Sequence, residues 1–127
     1  MNVHCLFLSF PQKKGPHFVL GSAYRPPEQN PNIFNEDFNM LLSELTKKSN
    51  AIHIAGDFNI DLFKYLSHNP TKSFVDCITV HHMLPTITRP TRITASTSTL
   101  IDNILTTTPA CVLDSVIIAS DISDHLH

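Results

Sequence analysis

The chain is 127 residues long, 42% hydrophobic and 16% charged, with a formal net charge of −2. That length suits one domain around a single core, and that balance excludes a disordered chain. The slight negative charge excludes a strong basic field for gripping nucleic acid, and no apolar run approaches the ~18 residues that would span a bilayer.

Val3 to Phe10 and Phe18 to Tyr24 are apolar runs separated by Pro11-Gln12-Lys13-Lys14-Gly15-Pro16, which predicts a hairpin. Arg25 to Pro31 holds three prolines and is expected to be loop. From Ile33 to Lys48, Phe34, Phe38, Leu41, Leu42 and Leu45 recur at helical spacing. Glu36 and Asp37 are expected in the first turn of that helix and Lys47-Lys48 in its last, matching the helix dipole. A strand follows over Ala51 to Ala55. A shorter helix is expected over Thr71 to His81, burying Phe74, Val75 and Ile78. Leu84 to Ser98 is rich in Thr, Pro and Arg and reads as loop with brief extended pieces. Thr99 to Leu105 and Val112 to Ala119 are the last two strands, with a turn around Pro109. The order β-β-α-β-α-β-β is that of an α/β sandwich in which a sheet buries one face of its helices.

Cys5, Cys77 and Cys111 are odd in number and widely spaced, without a zinc pattern, and read as buried thiols in a reducing compartment. The apolar start lacks a basic leader and a small-residue cleavage site, so secretion is not expected. The basic residues Lys13, Lys14, Arg25 and Arg89 to Arg92 read as solvated surface or as phosphate contacts. His81-His82 finds no third ligand at helical spacing and reads as surface or core histidine.

The polar groups gather at strand ends. Tyr24 closes the second predicted strand. Asp57 and Asn59 follow the third and, on an extended backbone, leave the same face. Asp102 lies in the fourth, and Asp124 and His125 follow the fifth. Read singly, Asp57 and Asn59 also suit a strand-end turn, Tyr24 a packing aromatic, and Asp124-His125 a solvated tail. Read together, three carboxylates at one rim would repel, and a hard divalent cation, magnesium or manganese, relieves that repulsion. A histidine beside a carboxylate suits proton transfer near neutral pH.

Ala23-Tyr24-Arg25-Pro26-Pro27, Gly56-Asp57-Phe58-Asn59, Leu100-Ile101-Asp102 and Ser123-Asp124-His125 resemble, in order and spacing, the endonuclease/exonuclease/phosphatase superfamily. They look most like the apurinic-type endonuclease domain of non-LTR retrotransposons of the jockey and CR1 type. Asp61 and Thr99 also fit that branch, and the likeness runs from about Phe18 to the end. The resemblance implies the C-terminal half of a DNase I-like, two-sheet α/β sandwich. It implies Mg²⁺- or Mn²⁺-dependent hydrolysis of a DNA phosphodiester, with the element's reverse transcriptase as partner and a nuclear or cytoplasmic setting.

By the same resemblance, Asp57 would position or activate the attacking water, and Asn59 would hydrogen-bond a non-bridging phosphate oxygen. Asp124 would help to bind the metal. His125 would contact the phosphate, oriented by Asp102, and Tyr24 would support the phosphate or leaving oxygen. The family carries a strand-end Asn and a metal-binding Glu upstream; Asn2 and Glu28 do not stand in those contexts. Residues 1–127 are therefore expected to form a partial domain, truncated at its N-terminus and just after Ser-Asp-His. An inactive transposon-derived remnant and a phosphatase of the same superfamily are the alternative readings.

Overall fold

The computed structural model describes residues 4–15 and 17–108. The predicted strand Val112 to Ala119, the turn at Pro109, Cys111, Asp124 and His125 lie outside the described residues. The expected hairpin forms: β1 (His4–Phe10) pairs antiparallel with β2 (Phe18–Tyr24). Helix α1 (Pro31–Lys48) then crosses to β3 (Ala51–Asp57), which lies parallel to β2. A 3₁₀ turn (Leu62–Lys64) and helix α2 (Asn69–Val80) follow. Short strands β4 (Leu84–Pro85), β5 (Arg92–Ile93) and β6 (Ser98–Thr99) precede β7 (Asp102–Thr106). The main sheet runs β1-β2-β3-β7-β4, and β5 and β6 form a separate two-stranded ribbon. No helix among the described residues is long and apolar enough to cross a membrane.

Three expectations are corrected. Pro31 belongs to α1, not to the loop before it. It occupies the helix's first turn, where its missing N–H has no helical partner to lose. The Asn30 side chain caps that end, accepting from the N–H of Asn32 at 2.8 Å. The earlier start leaves no acidic residue in the first turn, although Lys47 and Lys48 do close the last. The strand expected over Thr99 to Leu105 is interrupted at Leu100–Ile101. The buried Thr91 hydroxyl takes the N–H groups of Ile101 and Asp102 out of the ladder, at 3.2 and 3.1 Å. Cys5 and Cys77 are free thiols as expected, but only half-buried.

Both helices lie on one face of the sheet. Val19, Ala23, Ile52, Ile54 and Leu105 point to it at alternate positions and meet Phe34, Phe38 and Leu42 of α1 and Phe74 and Ile78 of α2. Phe34, Phe38, Phe58 and Phe74 form one aromatic cluster with ring centroids 5.1 to 6.4 Å apart. Phe58 comes from the loop that follows β3, so the core anchors that loop.

Candidate functional site

Strand register brings three of the candidate residues into one row. Tyr24 pairs with Asp57 across the parallel β2–β3 ladder, and Asp57 pairs with Asp102 across the antiparallel β3–β7 ladder. Paired residues share a sheet face, with neighbouring strands ~4.8 Å apart and directly opposed Cβ atoms at about 5 Å. The residues next to them, Ala23, Gly56 and Asn103, turn to the helical side. Tyr24, Asp57 and Asp102 therefore project from the face that the helices leave open. Tyr24 is 44% exposed, with its ring 6.4 Å from that of His4, while Asp57 and Asp102 are half-buried.

Asn59 is placed differently from expectation. The extended backbone stops at Asp57, and Asn59 is left-handed at φ 48°, a conformation Asn tolerates better than most residues. Asp57 Oδ1 accepts the Asn59 N–H at 3.2 Å, closing a tight turn that ends the strand. The Asn59 amide donates to the Arg25 carbonyl at 2.6 Å, which occupies one of its two N–H groups. Asn59 thus reaches the site from a turn, not from the strand face. Gly56 is required just before it: a Cβ there would sit 2.7 Å from both the Ala23 carbonyl and the Phe58 ring.

Arg25 holds this turn, and the solvated-surface reading of it is corrected, since it is only 5% exposed. Its Nε donates to the Phe58 carbonyl at 2.7 Å and its Nη2 to the Asn59 carbonyl at 2.6 Å. Its Nη1 donates to the Gln29 carbonyl, and its backbone N–H to the Asp57 carbonyl at 2.9 Å. One guanidinium thereby ties the end of β2 to the whole Asp57–Asn59 turn. Burial pulls its pKa below the usual arginine value, while the charges of Asp57 and Glu28 act in the opposite sense. The sequence signal was present but ambiguous: an arginine before two prolines at a strand end also suits the surface.

Asp61 and Thr91 brace the other side. Asp61 Oδ1 accepts from Phe63 N–H at 3.1 Å and from Leu100 N–H at 3.0 Å, joining the 3₁₀ turn to the segment entering β7. Thr91 positions Asp102 through its backbone N–H. Further along β7, the buried Asn103 amide accepts from Thr86 and Ile87 and donates to the Ile87 carbonyl, fixing the long connection that precedes it. Neither Thr91 nor Asn103 announced this role in the sequence.

Asp57 and Asp102 offer hard carboxylate oxygens, the donor type that suits Mg²⁺ or Mn²⁺. Among the described residues, no group of three His, Cys, Asp or Glu side chains could hold a metal ion. The row therefore fits such a cation in chemistry but supplies only part of a ligand set. Asp124 and His125 lie outside the described residues.

A family described as endonuclease-reverse transcriptase matches residues 18–127. No curated protein matches the chain. Among solved structures, it is similar to the endonuclease domain of TRAS1, a telomere-specific non-LTR retrotransposon, with a TM-score of 0.70 and 14% identity. It is also similar to endonuclease/exonuclease/phosphatase family proteins from Leptotrichia buccalis C-1013-b (TM-score 0.64, 15% identity) and Bacteroides thetaiotaomicron (TM-score 0.59, 15% identity). Each match covers 96% of this chain, but 60%, 51% and 53%, respectively, of the other. The chain thus spans little more than half the length of these structures.

Proposed function

The chain belongs to the endonuclease-reverse transcriptase family, and on that premise we propose that it is part of a DNA-nicking endonuclease domain of a non-LTR retrotransposon. The reaction is metal-dependent hydrolysis of a phosphodiester, leaving a 3′-hydroxyl from which the element's reverse transcriptase extends. The observation that carries this reading is the row Tyr24–Asp57–Asp102 on one open sheet face, with the Asn59 turn beside it.

In this proposal Asp57 takes the proton of the attacking water, and the second N–H of the Asn59 amide meets a non-bridging phosphate oxygen. Asp102 orients the imidazole of His125 toward the phosphate. Tyr24 lies against the phosphate or the leaving oxygen, and Asp124 contributes a metal ligand. A divalent cation, when bound, supplies charge stabilisation at the phosphoryl oxygens. Arg25 is a positioning residue, keeping Asp57 and Asn59 in fixed relation without touching substrate.

The test is Mg²⁺-dependent nicking of supercoiled plasmid by this chain joined to the additional length its relatives carry. Asp57→Ala and His125→Ala should each lower the rate by ~10²–10⁴-fold. Undiminished nicking by either variant overturns the assignment. Hydrolysis of an inositol phosphate or phospholipid headgroup in preference to DNA would move the chain to the phosphatase branch instead.

A further inference from the structure

The five-stranded sheet has two edges, and they are built differently. At one, β4 is two residues long and ends in Pro85, the kind of edge that resists a further strand. At the other, β1 is seven residues long and holds no proline, lysine, arginine or carboxylate. Its ladder with β2 runs from His4 to Phe10 without a bulge. Among the described residues, no segment pairs with its outer side. Alternate N–H and C=O groups of β1 therefore point outward along a straight, uncharged edge, which is a template for strand addition.

The strand also reads nearly the same in both directions. His4-Cys5-Leu6-Phe7-Leu8-Ser9-Phe10 runs aromatic, small, Leu, Phe, Leu, small, aromatic. We propose that β1 pairs antiparallel with β1 of a second copy of this chain, about a two-fold axis at Phe7. In that register Leu6 faces Leu8, Cys5 faces Ser9, His4 faces Phe10, and Phe7 meets Phe7. Directly opposed residues share a sheet face, so the exposed Leu6 and Leu8 shield each other from water. On the helical face, Phe7 leans over β2, where Gly21 alone makes room: a Cβ there would lie 2.3 Å from the ring. Beside it α1 leaves a groove of about 440 Å³, whose apolar lining is Phe7, Val19 and Leu45. Phe7 of the second copy would close the outer side of that groove. A foreign strand needs no such palindrome, whereas a two-fold contact requires a self-complementary one. The pairing joins edges, leaves the open face uncovered, and does not depend on the chemistry of the Tyr24–Asp57–Asp102 row.

The experiment is sedimentation equilibrium of the whole chain in reducing buffer. One strand pair is smaller than the ~800 Å² per partner of a standard interface, so the dimer should dissociate on dilution. The mass should rise from 14.2 kDa toward twice that as concentration increases from about 1 to about 100 µM. Leu6→Lys with Leu8→Lys sets lysine against lysine at two positions and should weaken association about tenfold or more. Leu6→Lys with Leu8→Glu sets opposite charges there and should restore most of it. Both sites are exposed, so the fold should survive either pair. Ser9→Cys tests the register directly, because it faces Cys5 of the second copy. Within one strand those positions are ~13 Å apart, beyond the ~6.8 Å that a disulfide spans between Cα atoms. Mild oxidation should give a covalent dimer whose cross-linked peptides join positions 5 and 9, and adding Cys5→Ser should abolish it.

A single 14.2 kDa species at every concentration would overturn the dimer. Equal association by the two double variants would place the contact on the apolar faces and overturn the edge pairing. Growth past the dimer would overturn the closed two-fold arrangement. A cross-link from position 9 to any cysteine other than Cys5 would overturn the register.

Discussion

The two faces of the five-stranded sheet are built from alternate residues of the same strands, yet they have opposite fates. On one face, Val19, Ile52, Ile54 and Leu105 vanish beneath two helices and a stack of four phenylalanines. On the other, Leu6, Leu8 and Leu20 remain 68, 56 and 42% exposed, and Tyr24, Asp57 and Asp102 stand at its end. One face carries the packing energy that holds the strands in register. The other carries the polar row, and it can afford that row because the first face already fixes the backbone.

The largest effect should come from setting one face against the other. Phe38→Ala opens a hole in the aromatic cluster and should cost about 3–5 kcal/mol in urea unfolding. Leu8→Ala, which removes a half-exposed side chain from the open face, should cost less than ~1 kcal/mol. Comparable losses would show that the open face is covered in solution, by a second copy or by further chain, and the contrast between faces would fall.

Much of this contrast could be read from residue order. Apolar runs bounded by turn residues marked β1, β2 and β3, and Phe34, Phe38 and Leu42 marked the buried stripe of α1. Asp57 was legible because Gly-Asp-Phe-Asn closes an apolar run. Two features were not. That Tyr24, Asp57 and Asp102 share a row depends on ladder register between distant strands, which local pattern does not encode. That Arg25 is buried depends on three backbone carbonyls arriving from two separate loops, and an arginine next to prolines looks the same when solvated. The connection from Met83 to Ile101 defeated pattern reading for a related reason. Its order comes from single side chains, Thr91 and Asn103, and not from any period.

A smaller effect should sharpen the boundary between the faces. Arg25 lies at that boundary, its backbone N–H bonded to the Asp57 carbonyl and its guanidinium to the Phe58 and Asn59 carbonyls of the turn. Arg25→Lys keeps the charge but cannot reach three carbonyls at once. It should lose about 1–3 kcal/mol through buried acceptors left without donors. Plasmid nicking should fall further than the loss of folded protein accounts for, since Asp57 and Asn59 would no longer be held together. Full activity with lowered stability would make Arg25 a purely structural residue and separate the turn from the chemistry.

The smallest effect belongs to the open face itself. His53 points there from β3, with Nδ1 2.9 Å from the Thr106 hydroxyl and its ring 4.8 Å from that of Phe18. Burial lowers its pKa from the ordinary 6.5, because the imidazolium is the form that loses hydration. The unfolded chain therefore takes up the proton first as pH falls. Stability from neutral His53 is complete above about pH 6.5 and declines as pH drops toward the lower folded value. The Tm should fall between pH 7 and 5, and His53→Gln should flatten part of that fall. His81 is shifted in the same direction by burial and by His82, so some slope should survive. An unaltered Tm profile in His53→Gln would mean that water already reaches the ring, and that the open face is wetter at β3 than the packing of Phe18 against it implies.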